Sequence, residues 1–454
     1  SITFCVNINS VATQLFGKNV EIYRRQGGTA FANLNLGTVM EKRGDFAEAL
    51  NYYEKAYIIF EDVRDKENAL RSLHQMAIAR MLSGDLQECL KDFNNVAELS
   101  AKYGDRMMES LALGSLGEVY GRMWQLDKAY DKFLQSLSIA QMVGEPQQKI
   151  VLNINIGDVH FYQGSLKQAI EYHNKAIEIA TQIQDPFNEA LARRSLGWDF
   201  YYWADYIKAR DEFETSKNIF QKIGDKRNSI ISMLVQMAID IKLGNIEETD
   251  YTVKDIEQKA RAMNDLEIVS LTLDIRTDAF LYKGDYETAA KILIELLEIT
   301  KQIKNKRGFA WANAKIGDTI LRKARSLSQN DKNILFEVSK YIEQSLALAR
   351  ELGDRILELY GYILNAEILL RNSDFKNSLN VLIKGIELTN QCGAREFYAR
   401  TLLLMSQIYE RFGDNKESKD YLLKHKKLVN EITKDLNNLE KRIITIEYLI
   451  GYFK

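Results

Sequence analysis

A bulky aliphatic residue followed by a small one returns along this chain, most often 40 residues apart. Leu36-Gly37 reappears as Met76-Ala77, Leu116-Gly117, Ile156-Gly157, Leu196-Gly197 and Ile316-Gly317, with looser versions at Met237, Thr277, Ala366 and Ser406. A period of this length is one helix–turn–helix that cannot bury its own apolar face, so neighbouring units must stack to cover it. The chain is therefore expected to be an all-α solenoid of about ten hairpins, an architecture that points to binding rather than catalysis.

Residues 30 to 66 serve as the template. Phe31, Leu34, Leu36 and Met40 fall on one face of a first helix. Gly44 is placed to close that helix in the left-handed conformation, and Asp45 to cap the next one. The second helix carries Ala49, Tyr53 and Ala56, small and large residues that let two helices approach closely. The same turn recurs at Gly84-Asp85, Gly164-Ser165, Gly244-Asn245, Gly284-Asp285 and Gly413-Asp414, and between repeats at Gly104-Asp105, Gly224-Asp225 and Gly353-Asp354. Pro146 and Pro186, the only prolines, sit at matching points between repeats, as a nearly all-helical chain requires.

Composition narrows the function. Apolar residues make up 46% of 454 and charged residues 27%, enough for a core and a solvated surface. The net charge is -2 and no basic tract is present, which argues against nucleic acid as the main partner. Cys5, Cys89 and Cys392 are scattered and form no metal or disulfide pattern, so no metal or cofactor is expected and a reducing, cytoplasmic setting fits. No apolar run reaches the roughly 18 residues of a membrane span. The chain opens on Ser1 inside what reads as an incomplete repeat, which suggests a piece of a larger polypeptide.

These residues resemble the tetratricopeptide repeat, whose pattern places Leu-Gly and then an aromatic in helix A, and Ala, an aromatic and Ala in helix B. The third repeat follows it nearly throughout, with Leu116, Gly117, Tyr120, Ala129 and Phe133, and Ser136 in place of the last alanine. The resemblance covers roughly 29–427. Its units are six residues longer than the standard 34, similar to the long repeats of kinesin light chain and of several signalling regulators. It implies a right-handed superhelix, with 1–28 as a lead-in helix or partial repeat, 29–427 as ten repeats and 428–454 as a capping or coiled-coil helix. Repeat eight carries nine extra residues near 325–333, read as a polar loop. Repeats six, seven, nine and ten lack the Leu-Gly pair, and looser packing is expected there.

The resemblance also implies that A helices line the concave face. Just past the glycine register lie Glu118, Asp158, Asp278, Asp318 and Glu367; at the outer groove position lie Lys42, Arg122, Tyr162, Tyr202, Lys242, Arg322, Arg371 and Arg411. Asn35 and Asn155 match asparagines that similar proteins use to hold a peptide backbone, although Ser115, Ser195 and Lys315 break any continuous ladder. The pairs Glu118–Arg122, Asp318–Arg322 and Glu367–Arg371 have the i,i+4 spacing that simply stabilises a helix. Basic residues outnumber acids at the outer position, giving a slight preference for an acidic peptide. The densest aromatic patch is Trp198 to Trp203 followed by Tyr206. Phe200, Trp203 and Tyr206 are assigned to packing there, while Trp198 and Tyr202 are expected in the groove beside Tyr162 as binding hot spots.

No catalytic constellation is present. The histidines are His74, His160, His173 and His425, and none belongs to a metalloprotease or nucleophile motif. His160 and His173 replace the aromatics of helices A and B in one repeat and read as core. Beyond repeat ten, Ile432, Leu436, Leu439, Ile443, Ile446, Ile450 and Phe453 space as a heptad seam. A cap for the solenoid end, a dimerising or partner-binding coiled coil, and a rod leading to a further domain all remain open. The expected function is a non-enzymatic scaffold or sensing module that holds a peptide or helix. The rival is a constitutive structural subunit, or the repeat arm of a larger signalling enzyme.

Overall fold

The structure, a computed structural model, describes residues 27–327, 331–437 and 440, and among them there are helices and no strand. It divides into two compact units, 1–152 and 153–454. Unit 1 contains α1 (27–43), α2 (Phe46–Asp62), α3 (Lys66–Ser83), α4 (Leu86–Tyr103), α5 (Arg106–Arg122), α6 (Leu126–Val143) and the start of α7 (Pro146–Tyr162). Unit 2 takes the rest of α7 and continues through α8 (Leu166–Gln182), α9 (Pro186–Tyr202), α10 (Tyr206–Lys222), α11 (Lys226–Lys242), α12 (Ile246–Ala262) and α13 (Leu266–Lys283). It then runs on through α14 (Tyr286–Gln302), α15 (Lys306–Ser326), α16 (Lys332–Leu352), α17 (Arg355–Arg371), α18 (Phe375–Cys392), α19 (Arg395–Arg411) and α20 (Asn415–Thr433). Odd-numbered helices are the A helices of the repeat. The chain is an α-solenoid of stacked hairpins.

Most turns follow one recipe. At Gly84 the backbone swings to φ 90°, its N–H and that of Asp85 return to Met81 and Arg80, and the Asp85 carboxylate accepts from the Glu88 N–H. This closes one helix and caps the next within two residues. Except at the α15–α16 link, every turn has one residue at positive φ, and seven of them are not glycine, among them Arg64, Gln184, Lys304 and Ser373. Ser165 and Asn245, expected as caps, make no side-chain cap bond.

The Leu-Gly signal has a steric origin. A Cβ on Gly117 would lie 2.5 Å from the Phe133 ring, and one on Gly197 2.6 Å from the Phe213 ring. The glycine is thus the seat of the helix B aromatic, and fully burying such a ring stabilises by roughly 1.5–3 kcal/mol. Ala49, Tyr53 and Ala56 are fully buried as the template requires, whereas Phe31 and Leu36 of the first described hairpin are exposed.

The extra residues of repeat eight lie partly in helix: α15 and α16 reach 21 residues each, against 17 or 18 in most other helices, and 328–330 of the expected polar loop lie outside the described residues. Two expectations are corrected. Packing does not loosen at repeat nine, where Leu359, Ile363, Leu364 and Ala366 of α17 are fully buried. The terminal seam does not begin as one helix either. α20 ends at Thr433, and Asn437 and Glu440 then exchange 3.0 Å side-chain-to-N–H bonds, the mark of a fresh helix start. Ile432, assigned to self-association, is buried within unit 2 in a cluster with Val429, Tyr206 and Phe213. Leu439, Ile443, Ile446 and Ile450 lie outside the described residues.

Unit 2 closes on itself. Phe161, Leu166 and Ala169 of its first hairpin share a core with Ile356, Cys392, Ala394 and Phe397 of its last ones. Ala399, Val429 and Ile432 likewise pack with Tyr206, Phe213, Val235 and Ile239.

A candidate binding cavity inside unit 2

The closure of unit 2 leaves a cavity of about 360 Å³, walled almost entirely by A helices. That volume lies within the range of small-ligand and peptide-anchor pockets. Four rings form a closed circuit in its wall. Tyr202 of α9 meets Trp311 of α15 at 6.1 Å, Trp311 stacks on Tyr360 of α17 at 5.6 Å, Tyr360 stacks on Phe397 of α19 at 5.3 Å, and Phe397 returns to Tyr202 at 6.4 Å. Trp198 and Tyr162 extend this wall. Burial pushes the Tyr202 hydroxyl up to about 12, so it stays protonated.

Charges are arranged around the rings in three groups. Lys315 Nζ lies 2.6 Å from Asp274 and 3.0 Å from Asp278, and these carboxylates overcome the effect of burial and raise its pKa. Burial in turn raises Asp278, with Lys315 opposing. Arg307 sits 2.7 Å from the buried Asp354, with its guanidinium over the Tyr162 and Trp311 rings. The third group centres on Asp318. It accepts from Arg322 at 3.1 Å, Arg400 at 3.2 Å and the Tyr360 hydroxyl at 2.8 Å, with Arg325 at 3.6 Å. Burial would raise its pKa, but the three guanidinium groups hold it well below the usual carboxylate range. Behind it, Glu367 takes Arg325 at 3.1 Å and Arg371 at 3.2 Å. Four arginines thus gather around these two carboxylates in a poorly solvated place, where ion pairs are strong.

The residues named from sequence separate into two sets. Tyr162, Trp198, Tyr202, Lys242 and Arg322 come together on the cavity wall. Arg371 stands one layer back, through Glu367. Asn155 is half-buried on α7, and Asp158 lies 3.3 Å from His173 Nε2 rather than at the cavity. Asn35, Lys42 and Arg122 belong to unit 1 and are exposed. The i,i+4 pairs Asp318–Arg322 and Glu367–Arg371 form as spaced. Of the aromatic patch, Tyr206 is core, while Phe200 is only half-buried, with the Lys208 ammonium 5.3 Å from its ring centre.

Sequence reasoning passed over Arg307, Trp311, Tyr360, Glu396, Phe397 and Arg400, because A-helix positions six to ten residues ahead of the glycine register were not counted. It also passed over Asp199, which is fully buried with its carboxylate 2.6 Å from His173 Nδ1. The only signal was His173 itself, standing where helix B calls for an aromatic.

Among the described residues no group of histidines, cysteines and carboxylates could hold a metal ion, and no helix is long and apolar enough to cross a membrane. The family model described as tetratricopeptide repeat matches residues 28–80 and 149–222. A Tonsoku-like protein of Danio rerio is 28% identical over 103 residues, which is 23% of this chain and only 7% of that protein. A Rap protein complexed with Competence and Sporulation Factor superposes with a TM-score of 0.59 at 13% identity, covering 82% of this chain and 99% of that one. The Rap conjugation gene regulator of plasmid pLS20, in complex with the Phr* peptide, gives 0.52 at 15% identity, covering 75% and 97%. These likenesses concern the fold. With the family model matched in both units and the helix B aromatics seated on the helix A glycines, the chain carries tetratricopeptide repeats at 28–80 and 149–222.

Proposed function

We propose that this chain is a non-enzymatic protein-interaction module whose unit 2 cavity receives an acidic segment of a partner peptide or helix. The observation that carries this reading is the wall itself: a circuit of four aromatic rings next to the guanidinium groups of Arg307, Arg322 and Arg400. Aromatic and arginine side chains in a desolvated recess are what binding hot spots are made of. Guanidinium groups form strong charge-assisted hydrogen bonds with carboxylates, so a glutamate or aspartate side chain is the natural complement. The reading is supported by a fold neighbour, the Rap regulator of plasmid pLS20, which was solved in complex with the Phr* peptide.

A second reading, a constitutive structural subunit, is favoured by one feature: Glu396, Phe397 and Arg400 of the chain's own α19 already occupy part of the wall.

The test is a selection of peptides from a random display library against the full chain, followed by calorimetry. Acid-rich winners are expected, and Trp198→Ala with Tyr202→Ala should weaken them by at least about 2 kcal/mol, near 30-fold. Winners without acidic enrichment, or an unchanged affinity in the double variant, would overturn the reading.

A further inference from the structure

We propose that the seam where the last hairpin of unit 2 meets its first ones is a gate, and that a guest reaches the cavity when this seam parts. Successive repeats share apolar clusters and are tied by a turn as well, as Val253 and Ile256 of α12 are with Val269 and Leu273 of α13. The seam has apolar clusters too, but no turn ties its two sides. Its centre is an ion pair between residues 154 apart, Lys242 Nζ on α11 and Glu396 Oε2 on α19, at 2.7 Å with side chains 8% and 16% exposed. The Tyr206 hydroxyl donates to the same carboxylate oxygen at 3.0 Å, and the ammonium lies 5.3 Å from the Tyr201 and Tyr206 ring centres. On one side, Cys392 covers Gly164 and Gly393 sits against the Trp203 ring. On the other, Arg210 reaches Glu440 at 3.9 Å.

A buried ion pair gives back much of its attraction as lost hydration, so it fixes register while adding less stability than apolar packing of the same area. The seam also has no covalent continuity, whereas neighbouring repeats are joined by turns of two or three residues. These two facts make it the place where unit 2 opens first, below the free energy of global unfolding. Glu396, Phe397 and Arg400 move with that opening, and all three line the cavity. Parting the seam therefore breaks the aromatic circuit at Phe397 and frees Arg400 to turn towards a guest. The proposal rests on the cavity being a binding site for its purpose, but the opening itself is measurable with no ligand present.

Hydrogen exchange on the full chain, read by mass spectrometry, tests it. Peptides at 203–206 and 392–396 are expected to exchange together, before those of α13 and α15. Lys242→Met, which leaves Glu396 without its cation, should accelerate both edges about tenfold or more while α13 and α15 hold. Lys242→Met with Glu396→Gln should bring them back towards the parent. Should Lys242→Met fail to fold, Glu396→Gln alone is expected to give the same local acceleration. Edges as protected as α13 and α15 in the parent and the variant, or a uniform acceleration everywhere, would overturn the gate. Failure of peptide binding alone would leave this result standing and strike only the proposed function.

Discussion

One buried histidine in each unit is held in the opposite charge state. In unit 1, His74 lies between Phe93, 5.3 Å away edge-on, and Ser115, whose hydroxyl is 3.1 Å from its Nε2. Burial pulls its pKa down to about 4, so it is neutral. In unit 2, His173 is fully buried, but the Asp199 carboxylate and then Asp158 overcome the burial and lift it to about 10. Asp199, raised to about 6 chiefly by its own burial, is ionised at neutral pH. The same hairpin thus tolerates either solution. Unit 1 keeps its interior uncharged and leaves Asn35, Lys42 and Arg122 in solvent, while unit 2 brings charge inward and must complete it by pairing.

That contrast can be broken most sharply at His173. His173→Phe restores the family's aromatic yet strands Asp199, and a loss of about 3–5 kcal/mol in urea unfolding is expected, largely recovered by adding Asp199→Asn. A loss below about 1 kcal/mol would mean that the pair is not ionised.

pH separates the units next. His74 has a folded pKa below its unfolded value near 6.5, so its contribution is complete above pH 6.5 and is lost as the pH falls towards 4. Unit 1 should lose about 3 kcal/mol across that window, visible as faster exchange of α3 and α5 amides, and His74→Phe should flatten the slope. His173 has the opposite sign. Its contribution is complete below pH 6.5 and is lost as the pH rises towards 10, so unit 2 should weaken on the alkaline side. An acid-indifferent unit 1, or α8 and α9 amides of unit 2 that hold as the pH rises towards 10, would overturn the assignment.

The smallest effects compare one register position in the two units. Arg322→Ala removes a guanidinium bonded to the buried Asp318 and is expected to lower stability by about 2 kcal/mol. Arg122→Ala, at the same position but exposed, should stay within about 0.5 kcal/mol. Equal losses by thermal unfolding would show that burial does not distinguish the two sites.

Local chemistry was legible in the sequence. Gly84-Asp85 and its counterparts name their turns, because left-handed closure and N-capping each need particular residues. Leu116-Gly117 with Phe133 names a hairpin, because a ring must sit on a bare Cα. The cavity was legible only in part. Trp198, Tyr202 and Tyr162 stand out as an aromatic cluster, but Trp311, Tyr360 and Phe397 join them from helices about 110 to 200 residues away along the chain, where each resembles an ordinary apolar residue. The register that places them depends on how tightly unit 2 curves, which summed packing decides. Part of the polar insertion extends helices, because Arg325 and Lys332 are good helix formers and polar composition alone does not place a helix end.

The turns carry one more consequence. Arg64, Gln184, Lys304 and Ser373 hold left-handed backbone on exposed ground, where a side chain gains nothing and pushes against its own carbonyl. Each is a place where glycine would relieve strain worth up to about 1 kcal/mol, and such distant sites add nearly independently. The repeat array therefore holds a reserve of robustness that selection has left undrawn, open to a protein engineer without touching a single residue of the cavity.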